Sequence, residues 1–314
     1  SFKNSYKKNN NGKKIIKKNS LSLYKNKILS EFKKVNFFNK FKVVIDCANG
    51  STSKIIKNIF STIKVKLILI KNKPNGRNIN LNCGSLYPET LIKKVKQESA
   101  DFGISFDGDG DRIICCDEKG NIIDGDKIIA CLTEYFFNHS KKKISAVVGT
   151  LMSNMGLEKF IKKMGIKFYR ANVGDKFVYN IMKKRNCFLG GEQSGHIILK
   201  DFSPSGDAIL IALYLIKITS EYKKKISEIF SLYTPYIQKQ KNIKLLDSNH
   251  LNNENLKKIL NYYNNKNIQN NRVLVRISGT EPLIRILVEG YKPSVINILV
   301  KKIEKKIKLS FKKN

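Results

Sequence analysis

Three aspartates alternate with two glycines in the stretch "FDGDGDRI", which spans residues 106–113. Unit charges about 4 Å apart repel by roughly 1 kcal/mol in water and about 4 kcal/mol near a protein surface, so this crowding calls for a cation. The two glycines let the backbone curl, so that Asp107, Asp109 and Asp111 can converge on one point. Because hard carboxylate oxygens are the ligands that Mg²⁺ prefers, the loop is predicted to bind Mg²⁺ through these three aspartates.

Two alternative interpretations of this loop fit the sequence less well. The spacing D-x-D-x-D also opens an EF-hand, and Glu118 falls at position 12 of such a loop. However, the sixth position of an EF-hand needs glycine and here is Arg112, and the flanking stretches are typical of strands rather than helices. A solvated acidic turn is also disfavoured, because the loop directly follows the apolar strand stretch "DFGISF".

A second stretch, "GGEQSGH" at residues 190–196, is rich in glycine and polar side chains. A tight glycine loop of this kind could offer the carboxylate of Glu192 and the hydroxyl of Ser194 to a polyol. A glycine-rich hairpin with incidental polar residues fits the same letters equally well, so the residues alone leave both interpretations open.

A third stretch, "RISGTEPLIR", contains the chemical groups that bind anions. A guanidinium, two hydroxyls and backbone N–H groups in one short loop are suited to a phosphate. The alternative is a β-turn with a surface arginine. The predicted anion-binding residues are Arg276, Ser278, Gly279, Thr280 and Arg285.

The chain carries a formal net charge of +35, which raises the question of a nucleic-acid or anionic-membrane partner. Lysine, asparagine and isoleucine recur in loops, helices and tails alike, and aromatic residues are not interleaved in a basic stripe. We therefore interpret the charge as compositional bias and expect no nucleic-acid or membrane partner. Only seven of the 60 basic residues are arginine, the residue best suited to bidentate binding of phosphate or carboxylate.

The six cysteines form no CxxC pair and are too sparse for a disulfide scaffold, so free buried thiols and a cytoplasmic location are expected. No apolar run approaches the roughly 18 residues that span a bilayer. The N-terminus lacks the apolar segment of a signal peptide and begins with Ser1 rather than Met, and we expect a processed or partial chain.

Apolar strand-like runs alternate with helical patterns from about residue 41, which predicts the α/β class with consecutive α/β domains and mixed sheets, and a C-terminal α+β domain. Residues 237–258, by contrast, are expected to form a polar stretch that precedes the last unit. The predicted units are a remnant of a preceding domain with a linker at 1–39, a metal-loop domain at 40–143, a sugar-loop domain at 144–240 and a phosphate-binding domain at 241–314.

Taken together, the motifs resemble the α-D-phosphohexomutase family and occur in that family's order. The stretches that carry the resemblance are "VVIDCANG" (43–50), "NINLNCGS" (78–85), "FDGDGDRI" (106–113), "DEKGNIIDGD" (117–126), "VVGTLMSNMGLE" (147–158), "NVGDKFV" (172–178), "LGGEQSGHIIL" (189–199) and "VRISGTEPLIRILVEG" (275–290). Gln193 and the "SGTEPLIR" form favour the branch that acts on glucosamine phosphate over the phosphomannomutase and phosphoglucomutase branches.

The resemblance implies an isomerase that acts as an intramolecular phosphotransferase in amino-sugar nucleotide and cell-wall precursor synthesis. A phosphoserine donates its phosphoryl group to a hexose monophosphate, the resulting bisphosphate reorients, and the serine takes back the other phosphoryl group. Arg112 would lie beside the Mg²⁺ near the phosphoserine, and Asp175 and Lys176 would line the site. Glu192 and Ser194 would bind sugar hydroxyls, while the third stretch would bind the non-reacting phosphate.

The family's first domain carries the phosphoserine in an S-H-N-P loop, and the 314 residues contain no such stretch. We therefore expect the phosphoserine domain to come from the same protein or another chain. A non-catalytic phosphosugar-binding protein and a nucleic-acid-binding protein are the competing hypotheses.

Overall fold

The computed structural model describes residues 19–33, 41–63, 65–139, 144–245, 253–264, 266–278 and 281–311. Three β-sheets with flanking helices make up these ranges. The mixed α/β sheets and the antiparallel C-terminal sheet confirm the predicted fold class. The residue ranges predicted for the domains stay a prediction.

The first sheet has five strands in the order β2-β1-β3-β4-β5. Its first three strands are parallel, β4 is antiparallel to β3, and β5 is antiparallel to β4. Helix α1 (Ser20–Ser30) precedes the sheet, and α2 (Ile56–Phe60) and α3 (Glu89–Glu98) connect its strands. The strands are β1 (Lys42–Asp46), β2 (Lys66–Ile70), β3 (Phe102–Phe106), β4 (Ile113–Asp117) and β5 (Ile122–Ile123).

Helix α4 (Gly125–His139) leads from the first sheet to the second, whose four strands have the order β7-β6-β8-β9. Strands β7, β6 and β8 are parallel, and β9 is antiparallel to β8. Its strands and helices are β6 (Ala146–Thr150), α5 (Met155–Lys163), β7 (Lys167–Ala171), α6 (Asp175–Arg185), β8 (Leu189–Gly191), β9 (Ile197–Leu199), α7 (Ala208–Tyr222) and α8 (Ile226–Ile229).

The third sheet is antiparallel, in the order β10-β13-β12-β11. The expectation that residues 237–258 form only a polar stretch is wrong, because β10 pairs with β13 along its whole length. The strands of this sheet are β10 (Ile237–Lys244), β11 (Lys266–Ile268), β12 (Asn271–Ile277) and β13 (Leu283–Gly290), and the helices of the same region are α9 (Glu254–Tyr262) and α10 (Pro293–Ser310).

Separate hydrophobic clusters stabilise these layers. The largest cluster joins the first two sheets through α4 and the apolar α7, and a second cluster lies between the third sheet and α10. All six cysteines are buried and unpaired, as predicted. Within the part of the chain that the structure describes, no helix combines the length and apolar character needed to cross a membrane.

Candidate active site

The aspartate loop connects the antiparallel strands β3 and β4, so it is the loop of a hairpin rather than of a helix pair. Asp107 organises it, because its Oδ1 accepts hydrogen bonds from the backbone N–H groups of Gly110 (3.2 Å), Asp111 (3.2 Å) and Arg112 (3.1 Å). Gly110 has a φ of +79°, a left-handed conformation that glycine adopts without strain. One carboxylate oxygen thereby holds the loop in a tight curl.

The three predicted metal ligands do converge. Asp107, Asp109 and Asp111 each present an oxygen, and these oxygens lie within 4.8 Å of one another. Oδ1 of Asp111 is buried and has no hydrogen-bond partner among the described residues, so it is available to a cation. Ligands around one Mg²⁺ lie at about 2.1 Å from the ion, which small side-chain adjustments would allow here. The residues therefore fit Mg²⁺.

Arg112 lies beside these carboxylates but does not neutralise them through a close ion pair. Its Nε is 3.8 Å from Oδ2 of Asp107 and 3.8 Å from Oδ1 of Asp111, and its side chain is 43% exposed. Burial raises the pKa of Asp107, an effect that the backbone hydrogen bond from Arg112 partly offsets. The loop thus groups three carboxyl groups, while the Arg112 side chain stays accessible to an anion.

His196 is a residue of the site that the sequence did not indicate. It is 2% exposed, and its Nε2 accepts a hydrogen bond from the backbone N–H of Gly206 at 3.0 Å. Nδ1 therefore carries the proton and donates to Oδ2 of Asp111, 3.1 Å away. The histidine fixes the orientation of a predicted metal ligand, and its only sequence signal is its place in "GEQSGH".

The second predicted stretch is also a hairpin loop, between β8 and β9, and it packs directly on the aspartate loop. The N–H of Ile113 donates to the carbonyl of Gly195 at 3.1 Å, and Arg112 and His196 form a β-bridge. A Cβ at Gly195 would lie 2.0 Å from the carbonyl oxygen of Ile113, so only glycine allows this approach.

Within this loop Glu192 is buried and Ser194 is exposed. Oε1 of Glu192 accepts a hydrogen bond from the N–H of Gly174 at 2.7 Å, just before α6. That contact brings the "NVGDKFV" stretch to the loop. Asp175 and Lys176 follow in the first turn of α6, and both are exposed.

The third predicted stretch is the turn between β12 and β13. Arg276 and Arg285 are directly opposite each other on these strands, and Arg285 pairs with Glu281 at 2.5 Å. Burial lowers the pKa of Arg276, and the neighbouring Arg285 lowers it further, so an anion would relieve the repulsion. Ser278 is buried, and its N–H donates to the carbonyl of Leu283 at 2.8 Å.

Gly279 and Thr280, also predicted to bind phosphate, lie outside the described residues.

A cavity of about 460 Å³ opens beside Asp109 and Asp111. Ser51, Ser205 and Asp207 contribute polar groups to its wall, and Leu21 and Tyr24 of α1 contribute apolar surface. The aspartate loop is therefore accessible from this side to a ligand or a polypeptide loop.

Comparison with protein families matches three successive segments of the chain. Residues 22–120 match "Phosphoglucomutase/phosphomannomutase, alpha/beta/alpha domain II", residues 124–236 match domain III, and residues 251–306 match the C-terminal domain of the same family. The chain belongs to the phosphoglucomutase/phosphomannomutase family. This confirms the resemblance to the phosphohexomutases.

Similar members of the phosphoglucomutase/phosphomannomutase family include curated bacterial proteins. The chain is 43% identical over 263 residues to the phosphoglucosamine mutase of Limosilactobacillus reuteri, covering 83% of this chain and 58% of that protein. It is 42% identical over 286 residues to the phosphoglucosamine mutase of Nautilia profundicola, covering 90% of this chain and 64% of that protein. The chain thus spans about three fifths of the length of these relatives.

Solved structures support the fold at lower sequence identity. A phosphoglucomutase/phosphomannomutase family protein from Burkholderia thailandensis matches with a TM-score of 0.77 at 19% identity, over 92% of this chain and 64% of that chain. The N-acetylphosphoglucosamine mutase of Aspergillus fumigatus, solved in complex with GlcNAc-6P and magnesium, matches with a TM-score of 0.73 at 18% identity, over 90% of this chain and 69% of that chain.

Proposed function

We propose that this chain belongs to a phosphoglucosamine mutase, which interconverts glucosamine 6-phosphate and glucosamine 1-phosphate. The observation that carries the proposal is the direct packing of the two hairpin loops, in which His196 of one loop bonds to Asp111 of the other. A predicted metal site thereby adjoins a loop with polar groups for a sugar. Identities of 42–43% to curated phosphoglucosamine mutases support this branch of the family.

The aspartate loop would serve the phosphoryl transfer. Asp107, Asp109 and Asp111 would hold Mg²⁺, which when bound offsets the negative charge that develops on the transferred phosphoryl group. Arg112, whose guanidinium is half-exposed beside them, would contact a phosphoryl oxygen. His196 would keep Asp111 oriented throughout.

The sugar and its second phosphate would be bound by the other two stretches. The remaining oxygen of Glu192 would accept a hydrogen bond from a sugar hydroxyl, and the exposed Ser194 hydroxyl would donate or accept one, with Lys176 at the edge of the site. Arg276 and Arg285 would bind the phosphate that is not reacting, together with Ser278, Gly279 and Thr280. Paired guanidiniums suit this task because they bind phosphate oxygens bidentately.

The phosphoryl group itself would come from a phosphoserine on a further domain, in the same protein or another chain. The cavity beside Asp109 and Asp111 would admit the loop that carries this serine. Donation to the substrate would give a bisphosphate, which reorients and returns its other phosphoryl group to the serine. We propose that the reaction takes place in the cytoplasm and supplies precursors for cell-wall synthesis.

Reconstitution tests this proposal. The phosphorylated first domain of the Limosilactobacillus reuteri relative is added to the 314-residue chain with Mg²⁺, and glucosamine 1-phosphate formed from glucosamine 6-phosphate is measured. We expect turnover that is lost in Asp109→Ala. Glucose and mannose 6-phosphates are assayed in parallel, and faster turnover of either one assigns the chain to the phosphoglucomutase or phosphomannomutase branch.

Direct binding separates an active enzyme from a non-catalytic remnant. Glucosamine 6-phosphate is titrated into the chain by calorimetry, with Arg276→Ala as the variant that lacks a phosphate-binding side chain. Binding that depends on Arg276 without any turnover after reconstitution would favour a phosphosugar-binding remnant. The absence of both binding and turnover would contradict the proposed function.

A further inference from the structure

A series of side-chain hydrogen bonds connects the loop between β8 and β9, here called the sugar loop, to the C-terminal sheet. The series begins at Gln193 of the sugar loop. Nε2 of Gln193 donates to Oε1 of Gln238 at 3.2 Å. Gln238 lies on β10, and its Nε2 donates to Oε1 of Glu289 at 2.8 Å. Gln238 and Glu289 are directly opposite each other on β10 and β13.

The direction of these bonds follows from the chemistry of their end points. A carboxylate only accepts, so Gln238 must turn its amide nitrogen toward Glu289, and that nitrogen also donates to the carbonyl of Met152 at 3.1 Å. The oxygen of Gln238 therefore faces Gln193. The amide nitrogen of Gln193 has two protons, and the second one points to Oδ2 of Asp124 at 3.3 Å. Both N–H groups of Gln193 are thus bound within the protein.

The far end of this series of hydrogen bonds lies at the segment between β6 and α5. Glu289 is fully buried, and its Oε1 also accepts a hydrogen bond from the N–H of Met155 at 3.0 Å. Its Oε2 pairs with Nε of Arg272, and Nη2 of Arg272 donates to the carbonyl of Leu151 at 2.8 Å. The buried ion pair thereby links β12 and β13 to the segment between β6 and α5.

Strands β12 and β13 connect the buried ion pair to the predicted phosphate site. Arg272 and Glu289 are opposite each other on β12 and β13, as are Arg276 and Arg285. Residues four positions apart on a strand share one face, at a separation of about 13 Å. Any shift of the ion pair relative to the sugar loop would therefore move the phosphate site with it.

We propose that Gln193 and Gln238 are positioning residues that set the distance between the sugar loop and the phosphate-binding arginines. The inference deepens the proposed function and rests on it, because a hexose phosphate contacts both places at once. Gln193 thus influences the sugar phosphate through the C-terminal sheet and not through a bond from its own amide nitrogen. Methionine at either position keeps the size of the side chain but removes these hydrogen bonds.

Affinity measurements on the 314-residue chain test the coupling. Gln193→Met, Gln238→Met and the double variant are titrated with glucosamine 6-phosphate and, separately, with inorganic phosphate. We expect each single variant to bind the sugar phosphate about tenfold more weakly and inorganic phosphate, which needs only the arginines, unchanged. The double variant should be no weaker than either single variant, because both changes break one connection.

A distance measurement adds a readout that does not depend on the substrate. Spin labels are placed on exposed sites through Lys183→Cys on α6 and Lys302→Cys on α10, and the distance distribution is recorded by pulsed dipolar spectroscopy. Gln193→Met and Gln238→Met should broaden the distribution. Gln240→Met is the matched control, since Gln240 is exposed and lies two residues along β10.

The outcomes separate the two proposals. Unchanged affinity and unchanged distance distributions in both variants, or equal losses for the sugar phosphate and inorganic phosphate, overturn the positioning role. A broadened distribution in a chain that binds no glucosamine 6-phosphate supports the coupling and contradicts the proposed function. Gln193→Glu, which places a carboxylate against Asp124, replaces Gln193→Met if the latter does not fold, with the same expected results.

Discussion

The three aspartates of the aspartate loop have different structural environments at the scale of single residues. Asp107 holds the loop together through three backbone N–H groups, and Asp111 is held by His196. Asp109 is exposed and accepts no backbone hydrogen bond that shapes the loop among the described residues. Metal binding and loop stability can therefore be separated at Asp109.

We expect Asp109→Ala to weaken Mg²⁺ binding by at least about tenfold while leaving the melting temperature of the chain almost unchanged. The reason is that a ligand is lost but no buried bond is broken. Calorimetric titration with Mg²⁺ measures the affinity, and Glu89→Ala, an exposed acid in α3, is the control for charge alone. Equal Mg²⁺ affinity in Asp109→Ala and the unmodified chain would refute the metal assignment.

The buried His196 offers a second prediction. His196→Leu leaves Asp111 and the N–H of Gly206 without partners, so we expect a loss of about 1–3 kcal/mol in the free energy of unfolding. Mg²⁺ affinity should fall by about 10- to 100-fold, because the ligand loses its orienting bond. His196→Asn keeps a donor near the position of Nδ1 and should retain more of the metal affinity. Chemical denaturation and Mg²⁺ titration measure both effects, and identical affinities in the two variants would contradict the orienting role.

At the scale of secondary-structure elements, the sequence predicts the apolar strands well but does not predict the polar edge strand β10. Strands β1, β3 and β6 are continuous apolar runs, and both functional hairpins follow from apolar stretches around glycine-rich turns. Strand β10 was missed because lysines and glutamines occupy both of its faces, and most of its residues are exposed. Its strand geometry comes from pairing with β13, which local sequence does not reveal.

The first turn of α4 gives a pH-dependent prediction. Burial, and then the charge of Asp124, raise the pKa of Asp126 to about 8, and its Oδ2 accepts a hydrogen bond from the N–H of Asn154 at 2.6 Å. The unfolded carboxyl loses its proton near pH 4. Between these values the native state binds more protons, so this group's contribution to stability is lost as the pH rises from about 4 to 8.

Asp126→Asn removes this ionisation while keeping an acceptor for Asn154. We expect the variant to gain at least about 1 kcal/mol of stability relative to the unmodified chain between pH 5 and pH 8. Denaturant unfolding at several pH values measures the difference, with Glu89→Gln as the exposed control. Parallel pH dependences for Asp126→Asn and the unmodified chain would disprove the raised pKa.

At the scale of the whole molecule, the net charge of +35 does not by itself indicate a nucleic-acid partner. Several lysines pair with acids one turn away on their own helices, as in Lys94 with Glu98, Lys162 with Glu158 and Lys308 with Glu304. Within the described residues, these lysines are therefore paired with acids on their own helices.

We expect DNA binding to be weak and to disappear between about 50 and 200 mM salt, because only dispersed phosphate contacts would contribute. Fluorescence anisotropy with duplexes of unrelated sequence measures this dependence. Tight binding that persists at about 200 mM salt, or that discriminates between the duplexes, would restore the nucleic-acid hypothesis.

The sequence predicts the residues of the site better than their partners. Asp107, Asp109 and Asp111 are close in sequence, so their spacing alone indicates convergence. The bond from His196 to Asp111 and the bond from Gln193 to Gln238 join residues 85 and 45 positions apart. Such contacts depend on how the sheets pack, and a single sequence carries no record of that packing.

The strand orders β2-β1-β3-β4 and β7-β6-β8-β9 describe one folding plan used twice. The aspartate loop and the sugar loop occupy the same hairpin in each copy, after the third strand of the plan. The backbone plan is therefore the same for the proposed transfer loop and the proposed sugar loop, and the proposed difference in their roles rests on the side chains of two short loops. Exchanging a few loop residues, rather than rebuilding a domain, is then the economical route to a new substrate.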